Sequence, residues 1–281
     1  MSSPYRGRIA PSPTGYLHLG HARTFLTARD RAEQANGNLI FRNEDLDRER
    51  CRPDFVSAMY EDLRWLGLDW SEGPDCGGPY APYSQSERRD LYLRTWQELR
   101  DGGFIYPCTC SRRELALSAL APNENDDEPI YPGKCRSRND ACHYATPGGV
   151  NWRFRVPDGR EITFTDLHRG AQLYRAGTDL GDFVIWRRDD VPAYQLACIA
   201  DDHSMRITEV VRGADVLKST ARQLLLYRAL GWEAPRFYHC DLMRDDAGVR
   251  LAKRHDALGI RALRDRGFSS EQVRTRARAG A

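Results

Sequence analysis

The stretch Arg8-Ile9-Ala10-Pro11-Ser12-Pro13-Thr14-Gly15-Tyr16-Leu17-His18-Leu19-Gly20-His21-Ala22-Arg23 constrains this chain more than any other. A short apolar segment runs into Pro11, Pro13 and Gly15, which punctuate a turn. An apolar-periodic helix then reaches about Ala35 and ends before Gly37, read as a left-handed cap. Strand, tight turn and helix entry are how α/β proteins present a helix N-terminus to an anion. His18 and His21 fall where that helix begins and can donate hydrogen bonds to a phosphate. Gly20 between them lets a ligand approach the backbone closely.

Further along, Asn38-Leu39-Ile40-Phe41 reads as a buried strand that delivers Arg42-Asn43-Glu44-Asp45-Leu46-Asp47 at its C-terminal end. Pro53 suits a helix start, with Phe55, Met59, Leu63 and Leu66 at helical spacing up to Gly67. A Gly- and Pro-rich loop covers 72–83. Ser84-Gln85-Ser86-Glu87 reads as a capping box before a helix carrying Leu91, Trp96 and Leu99, closed by Gly102-Gly103. From Cys108 to about Gly149 the chain mixes cysteines, prolines and an acidic tract, 124–128, read as a solvated loop. Arg153–Val156, Ile162–Phe164 and Phe183–Trp186 are expected strands of a small β-rich insertion. Ile207–Val211 is a further strand, and Thr220 with Gln223 a second capping box opening a helix to Gly231. The tail from Val249 is rich in arginine, which suits a solvated helix face or a phosphate backbone.

A chain of 281 residues with 41% hydrophobic and 29% charged residues buries a real core. Its net charge of +2 does not announce a nucleic-acid binder. No apolar run approaches a membrane span, and Met1-Ser2-Ser3-Pro4 opens no signal-peptide core. Eight cysteines without a secretion signal are expected as thiols in the cytoplasm, with a clustered subset as metal ligands.

Four separated stretches, Arg8–Arg23, Phe41–Arg50, Ala193–Arg222 and Leu242–Arg254, resemble the glutamyl branch of the class I aminoacyl-tRNA synthetases. The first matches that family's HIGH signature. The resemblance implies a doubly wound, Rossmann-like parallel sheet with the active site at the C-terminal ends of its strands. It further implies ATP with magnesium, and amino-acid activation at the α-phosphate. His18, His21 and Lys253 are then the catalytic residues, and His18, Gly20, His21, Arg250 and Lys253 hold ATP. The second family motif, KMSKS, falls at Arg250-Leu251-Ala252-Lys253-Arg254. Its first Lys is here Arg and its Ser is Ala. Losing the serine hydroxyl removes one hydrogen bond, on the order of 1 kcal/mol.

A glutamate side chain needs a cation, preferably a guanidinium, and its α-ammonium needs an anion. By resemblance, Arg8, Ala10 and Ser12 line the amino-acid pocket, Glu44 takes the α-amino group, and Tyr194 and Arg212 complete it. Arg8 and Arg212 are both candidate side-chain cations. Pro11–Thr14 and Asn43–Asp47 resemble the glutamate-specific rather than the glutamine-specific type. Asp201-Asp202-His203 resembles a family segment near the active site, without a catalytic role.

Cys108-Thr109-Cys110 and Cys135 offer three sulfurs for a tetrahedral zinc, with Tyr131, Cys142 or His143 as the fourth ligand. General chemistry favours Cys or His. The resemblance to the Cys-x-Cys…Tyr-x-x-x-Cys site of glutamyl-type enzymes points to Tyr131 and to one structural zinc per chain. The expected organisation is a catalytic first half at 1–105, a zinc-bearing insertion at 106–190, a catalytic second half at 191–240, and a motif loop with a helical tail at 241–281. The chain stops soon after the second motif, without room for an anticodon-binding domain. That resembles the branch that transfers glutamate to queuosine at the wobble position of tRNA(Asp). Expected partners are ATP, L-glutamate and queuosine-bearing tRNA(Asp), with the chain a monomer and no membrane association. A short synthetase charging tRNA(Glu), a non-catalytic paralogue and a generic nucleotidyltransferase are the alternatives.

Overall fold

The computed structural model describes residues 4–111, 130–243 and 259–279. In chain order the first half holds β1 (Arg6–Ile9), α1 (Leu19–Gln34), β2 (Asn38–Phe41), α2 (Pro53–Trp65), α3 (Arg89–Asp101) and β3 (Ile105–Cys108). Four strands follow: β4 (Asn151–Phe154), β5 (Glu161–Asp166), β6 (Gly170–Arg175) and β7 (Phe183–Trp186). Then come α4 (Tyr194–Ser204), β8 (Glu209–Gly213), α5 (Leu217–Leu230), β9 (Arg236–Cys240), α6 (Ile260–Asp265) and α7 (Ser270–Ala279).

β1 pairs with β2 in parallel, and β8 with β9 in parallel. A parallel pair needs a crossover, supplied by α1 in the first case and α5 in the second. The two pairs adjoin where Thr208 N donates to Arg6 O at 2.9 Å. α1 turns Leu19, Ala22, Phe25, Leu26 and Ala32 inward as one apolar stripe. β3, β4 and β7 form an antiparallel sheet, and β5–β6 an antiparallel hairpin. Trp96, Trp152 and Trp186 are fully buried, and Trp96 meets Trp152 edge-on at 4.9 Å. They share one apolar cluster with Ile40, Leu196, Leu226 and Phe237, so the antiparallel strands and the parallel ones pack on common ground.

Several local expectations are corrected. The left-handed residue after α1 is Asn36, at φ 48°. Gly37 is needed for another reason: a Cβ there would fall 2.5 Å from Tyr5 O. Ser84 opens a short 3₁₀ turn rather than capping α3, and makes no side-chain cap bond; Ser86 instead bonds Asp45. α5 starts at Leu217, so Thr220 lies inside the helix and turns its hydroxyl to Arg212. The expected strands at 153–156 and 207–211 sit shifted, at Asn151–Phe154 and Glu209–Gly213, and β3, β6 and β9 are additions. Gly231 does cap its helix in the left-handed region, at φ 66°.

Candidate active site

A cavity of about 470 Å³ opens where the parallel strands end. Ala10–Ser12 follow β1, Glu44 lies just beyond β2, Gly213, Asp215 and Val216 end and follow β8, and Asp241–Met243 follow β9; all of them line it. Every sequence-predicted substrate residue within the described part, namely Arg8, Ala10, Ser12, His18, Gly20, His21, Glu44, Tyr194 and Arg212, lines this one cavity. Arg250 and Lys253 lie outside the described residues. Of the described residues on either side of them, Met243 lines the cavity and Gly259 is bridged to His18.

The two histidines are set by the helix entry itself. His18 is the N-cap of α1 and accepts from Gly20 N through Nδ1 at 3.1 Å. His21, three residues on, accepts from His18 N through its own Nδ1 at 3.1 Å. Each ring thereby carries its proton on Nε2 and offers that N–H as a donor, with ring centroids 3.8 Å apart. This is a capping box built from imidazoles instead of a hydroxyl and a carboxylate. A Cβ on Gly20 would sit 2.9 Å from His18 Cε1, so the glycine also makes room for the first ring.

A buried ionic network floors the cavity. Arg42 is wholly buried and donates to Asp202 Oδ1 at 2.6 Å and Glu44 Oε1 at 2.9 Å. Arg8 Nε reaches the same Asp202 oxygen at 3.3 Å, and its Nη1 donates to Val211 O at 3.1 Å. Asp201 accepts from Gln85, Arg88 and Tyr92. Burial raises the pKa of Asp201 despite the pull of Arg42 and Arg88. In Asp202 the neighbouring Arg42 and Arg8 outweigh burial and lower it. Asp201 and Asp202, given no role from the sequence, thus hold the arginines in register.

Arg212 is bound differently. Its Nε donates to His239 Nε2 at 3.0 Å, Nη1 to Tyr194 Oη at 3.2 Å and Nη2 to Thr220 Oγ1 at 2.7 Å. Burial, aided by Arg212, pushes His239 down to about 4, so the ring is neutral at neutral pH. Arg212 therefore keeps its charge for a ligand, while Arg8 is shared with Asp202. Asp166 and His239 escaped the sequence reading because no local pattern marks them, and Thr220 was marked only as a helix cap.

Away from the cavity, the Sγ atoms of Cys108, Cys110 and Cys135 lie within 4.8 Å of one another, all buried. Tyr131 Oη is 3.5 Å from both Cys108 and Cys110 Sγ, and Cys110 is 3.6 Å from Cys135. A tetrahedral ion with Zn–S about 2.3 Å and Zn–O about 2.0 Å separates sulfurs by about 3.8 Å and sulfur from oxygen by about 3.5 Å. The donor set fits that geometry. Cys142 and His143 lie exposed on a 3₁₀ turn, outside the cluster.

Residues 5–279 match the family described as tRNA synthetases class I (E and Q), catalytic domain. The chain is 49% identical to a glutamyl-Q tRNA(Asp) synthetase of Symbiobacterium thermophilum, over 95% of this chain and 83% of that one. It is 43% identical to a glutamate–tRNA ligase of Syntrophus aciditrophicus, over 97% of this chain but 56% of that one. A crystal structure of a glutamate tRNA ligase from Elizabethkingia meningosepticum, in complex with its amino acid, superposes with a TM-score of 0.76 at 34% identity. That match covers 95% of this chain and 54% of the other.

Proposed function

Because the chain belongs to the family of class I tRNA synthetase catalytic domains (E and Q), and is a ligase, we propose that it activates L-glutamate with ATP. A glutamate α-carboxylate oxygen bonds to the α-phosphorus, the bond to the β-phosphate oxygen breaks, and pyrophosphate leaves with magnesium. Charge gathers on the phosphoryl oxygens, so positioned donors rather than covalent chemistry lower the barrier. His18 and His21 Nε2–H supply such donors, joined by Arg250 and Lys253. Gly20 keeps the backbone close to ATP.

The observation that carries the reading is the contrast between Arg8 and Arg212 in one cavity with Glu44. Arg212, held by neutral groups, receives the γ-carboxylate; Arg8 supports it. Glu44 receives the α-ammonium, and Tyr194, Ala10 and Ser12 shape the pocket. A glutamine amide would leave the Arg212 charge unanswered, which sets the choice of amino acid.

Activation needs no tRNA in this reading, and glutamate then passes to the queuosine base at the wobble position of tRNA(Asp). The glutamyl-Q relative supports that acceptor, since it matches at higher identity and over more of its length than the glutamate–tRNA ligase. A structural zinc on Cys108, Cys110, Cys135 and Tyr131 stabilises the segment 106–190 as an insertion that meets the RNA. The chain acts as a monomer in the cytoplasm. Among the described residues no helix is long and apolar enough to cross a membrane.

Transfer of labelled glutamate to tRNA(Asp) with and without queuosine tests the acceptor. Transfer only to the queuosine-bearing RNA is expected. Charging of tRNA(Glu) instead would replace this reading with a shortened synthetase, and no transfer or exchange at all with a non-catalytic paralogue.

A further inference from the structure

His239 on β9 and Asp166 at the end of β5 are both fully or almost fully buried, and neither lines the cavity. His239 Nδ1 lies 2.6 Å from Asp166 Oδ2, and its Nε2 lies 3.0 Å from Arg212 Nε. A guanidinium Nε–H can only donate, so His239 Nε2 accepts and the ring proton sits on Nδ1, donated to Asp166. Asp166 is itself fixed: its Oδ1 accepts the backbone N–H of His168 at 3.0 Å, of Arg169 at 2.8 Å and of His239 at 3.3 Å. Thr220 Oγ1, 3.2 Å from His239 Nε2, closes the arrangement by accepting from Arg212 Nη2.

We infer that Asp166 and His239 are positioning residues for Arg212. The carboxylate selects the Nδ1–H tautomer of His239, and the bare Nε2 aims the guanidinium into the cavity. An imidazole is suited to this because it orients Arg212 without cancelling its charge, as a directly bonded carboxylate would. The end of β5 thereby reaches behind the amino-acid site through His239 on β9, 73 residues away in sequence. The inference rests on the assignment of Arg212 to the substrate side chain.

The test uses the full chain with ¹⁵N-labelled histidine, His239 being assigned by the signals lost in His239→Asn. The wild type should show His239 protonated on Nδ1 and bare on Nε2. Asp166→Asn keeps the shape, but its oxygen stays with the three backbone N–H groups, since an amide NH₂ cannot accept them. The NH₂ then faces Nδ1, the proton moves to Nε2, and donor meets donor at Arg212. The expected result is a switched tautomer with KM for glutamate in ATP–pyrophosphate exchange raised about tenfold and KM for ATP within about twofold.

Three results each overturn the inference: a wild-type ring protonated on Nε2, which needs no variant to fold; a tautomer unmoved by Asp166→Asn; or a switched tautomer with unchanged KM for glutamate. Arg212→Lys, measured alongside, separates the two layers. If it raises KM for glutamate while Asp166→Asn does not, only the positioning role falls. If neither raises it, the substrate assignment of Arg212 falls and the positioning role falls with it.

Discussion

Arg8 and Arg212 line the same cavity, yet among the described residues only Arg8 reaches a carboxylate: its Nε lies 3.3 Å from Asp202 Oδ1, while Arg212 Nε meets neutral His239 at 3.0 Å. The two guanidiniums therefore do different work. Arg212→Met should raise KM for glutamate about 30-fold or more, the cost of a charged hydrogen bond, with little change in melting temperature. Arg8→Met removes one of the two cations on buried Asp202 and should lower stability as well, by about 2–3 kcal/mol. Steady-state exchange and denaturant unfolding of both variants measure the contrast.

Lys253→Ala should reduce the exchange rate by about 10²–10³-fold, as loss of a charge aimed at the transition state does, while glutamate affinity stays nearly intact. Single-turnover kinetics beside equilibrium glutamate binding checks the split. Equal loss of both would remove Lys253 from its catalytic role.

Two buried groups should make contributions of opposite sign to the way stability responds to pH. His239, facing Arg212, Asp166 and Arg8, is held near 4 against 6.5 for an ordinary imidazole. The unfolded chain takes up that proton first, so stability is lost as pH falls from about 6.5 towards 4, by about 3 kcal/mol. Among the described residues Asp62 on α2 has no hydrogen-bond partner on either oxygen, and Arg261 on α6 stands 3.6 Å from it. Burial, against the pull of Arg261, raises it from 3.8 to about 6. Here the folded chain takes up the proton first, so stability is gained over nearly the same range, by a similar amount. The wild type should show a shallow dependence between pH 6.5 and 4.5. Asp62→Asn should make stability fall towards the acid end, and His239→Asn should make it rise. Urea unfolding across that range gives the slopes directly.

The purified chain should carry about one zinc, lost on strong chelation with a drop in melting temperature of about 5 °C or more. Cys135→Ser should act in the same direction. Tyr131→Phe should weaken retention of the metal, whereas Cys142→Ser and His143→Ala should not. Metal analysis with thermal unfolding distinguishes these cases.

The helix entry at His18–His21 was legible because its donors act within one turn, and the sequence order of the strand ends brought Arg8, Glu44 and Arg212 into one frame. The cluster of Cys108, Cys110 and Cys135 was legible from spacing, and the structure added what spacing could not, the 3.5 Å approach of Tyr131. The relay behind Arg212 was not legible. Asp166 ends β5 and His239 sits in a late strand, and neither carries a local signal. Thr220 shows why a pattern can mislead: its spacing to Gln223 imitates a helix cap, but its hydroxyl serves Arg212 from inside α5. Likewise Ser84 failed as a cap because Asp45 draws the following turn towards the β2 end.

Glutamate-dependent ATP–pyrophosphate exchange without any tRNA, run beside glutamine and beside the Arg212→Met variant, tests the central claim most directly. Exchange with glutamate, little with glutamine, and its loss in the variant at substrate levels that saturate the wild type are the predicted results. Equal exchange with glutamine, or none with either amino acid, would contradict it.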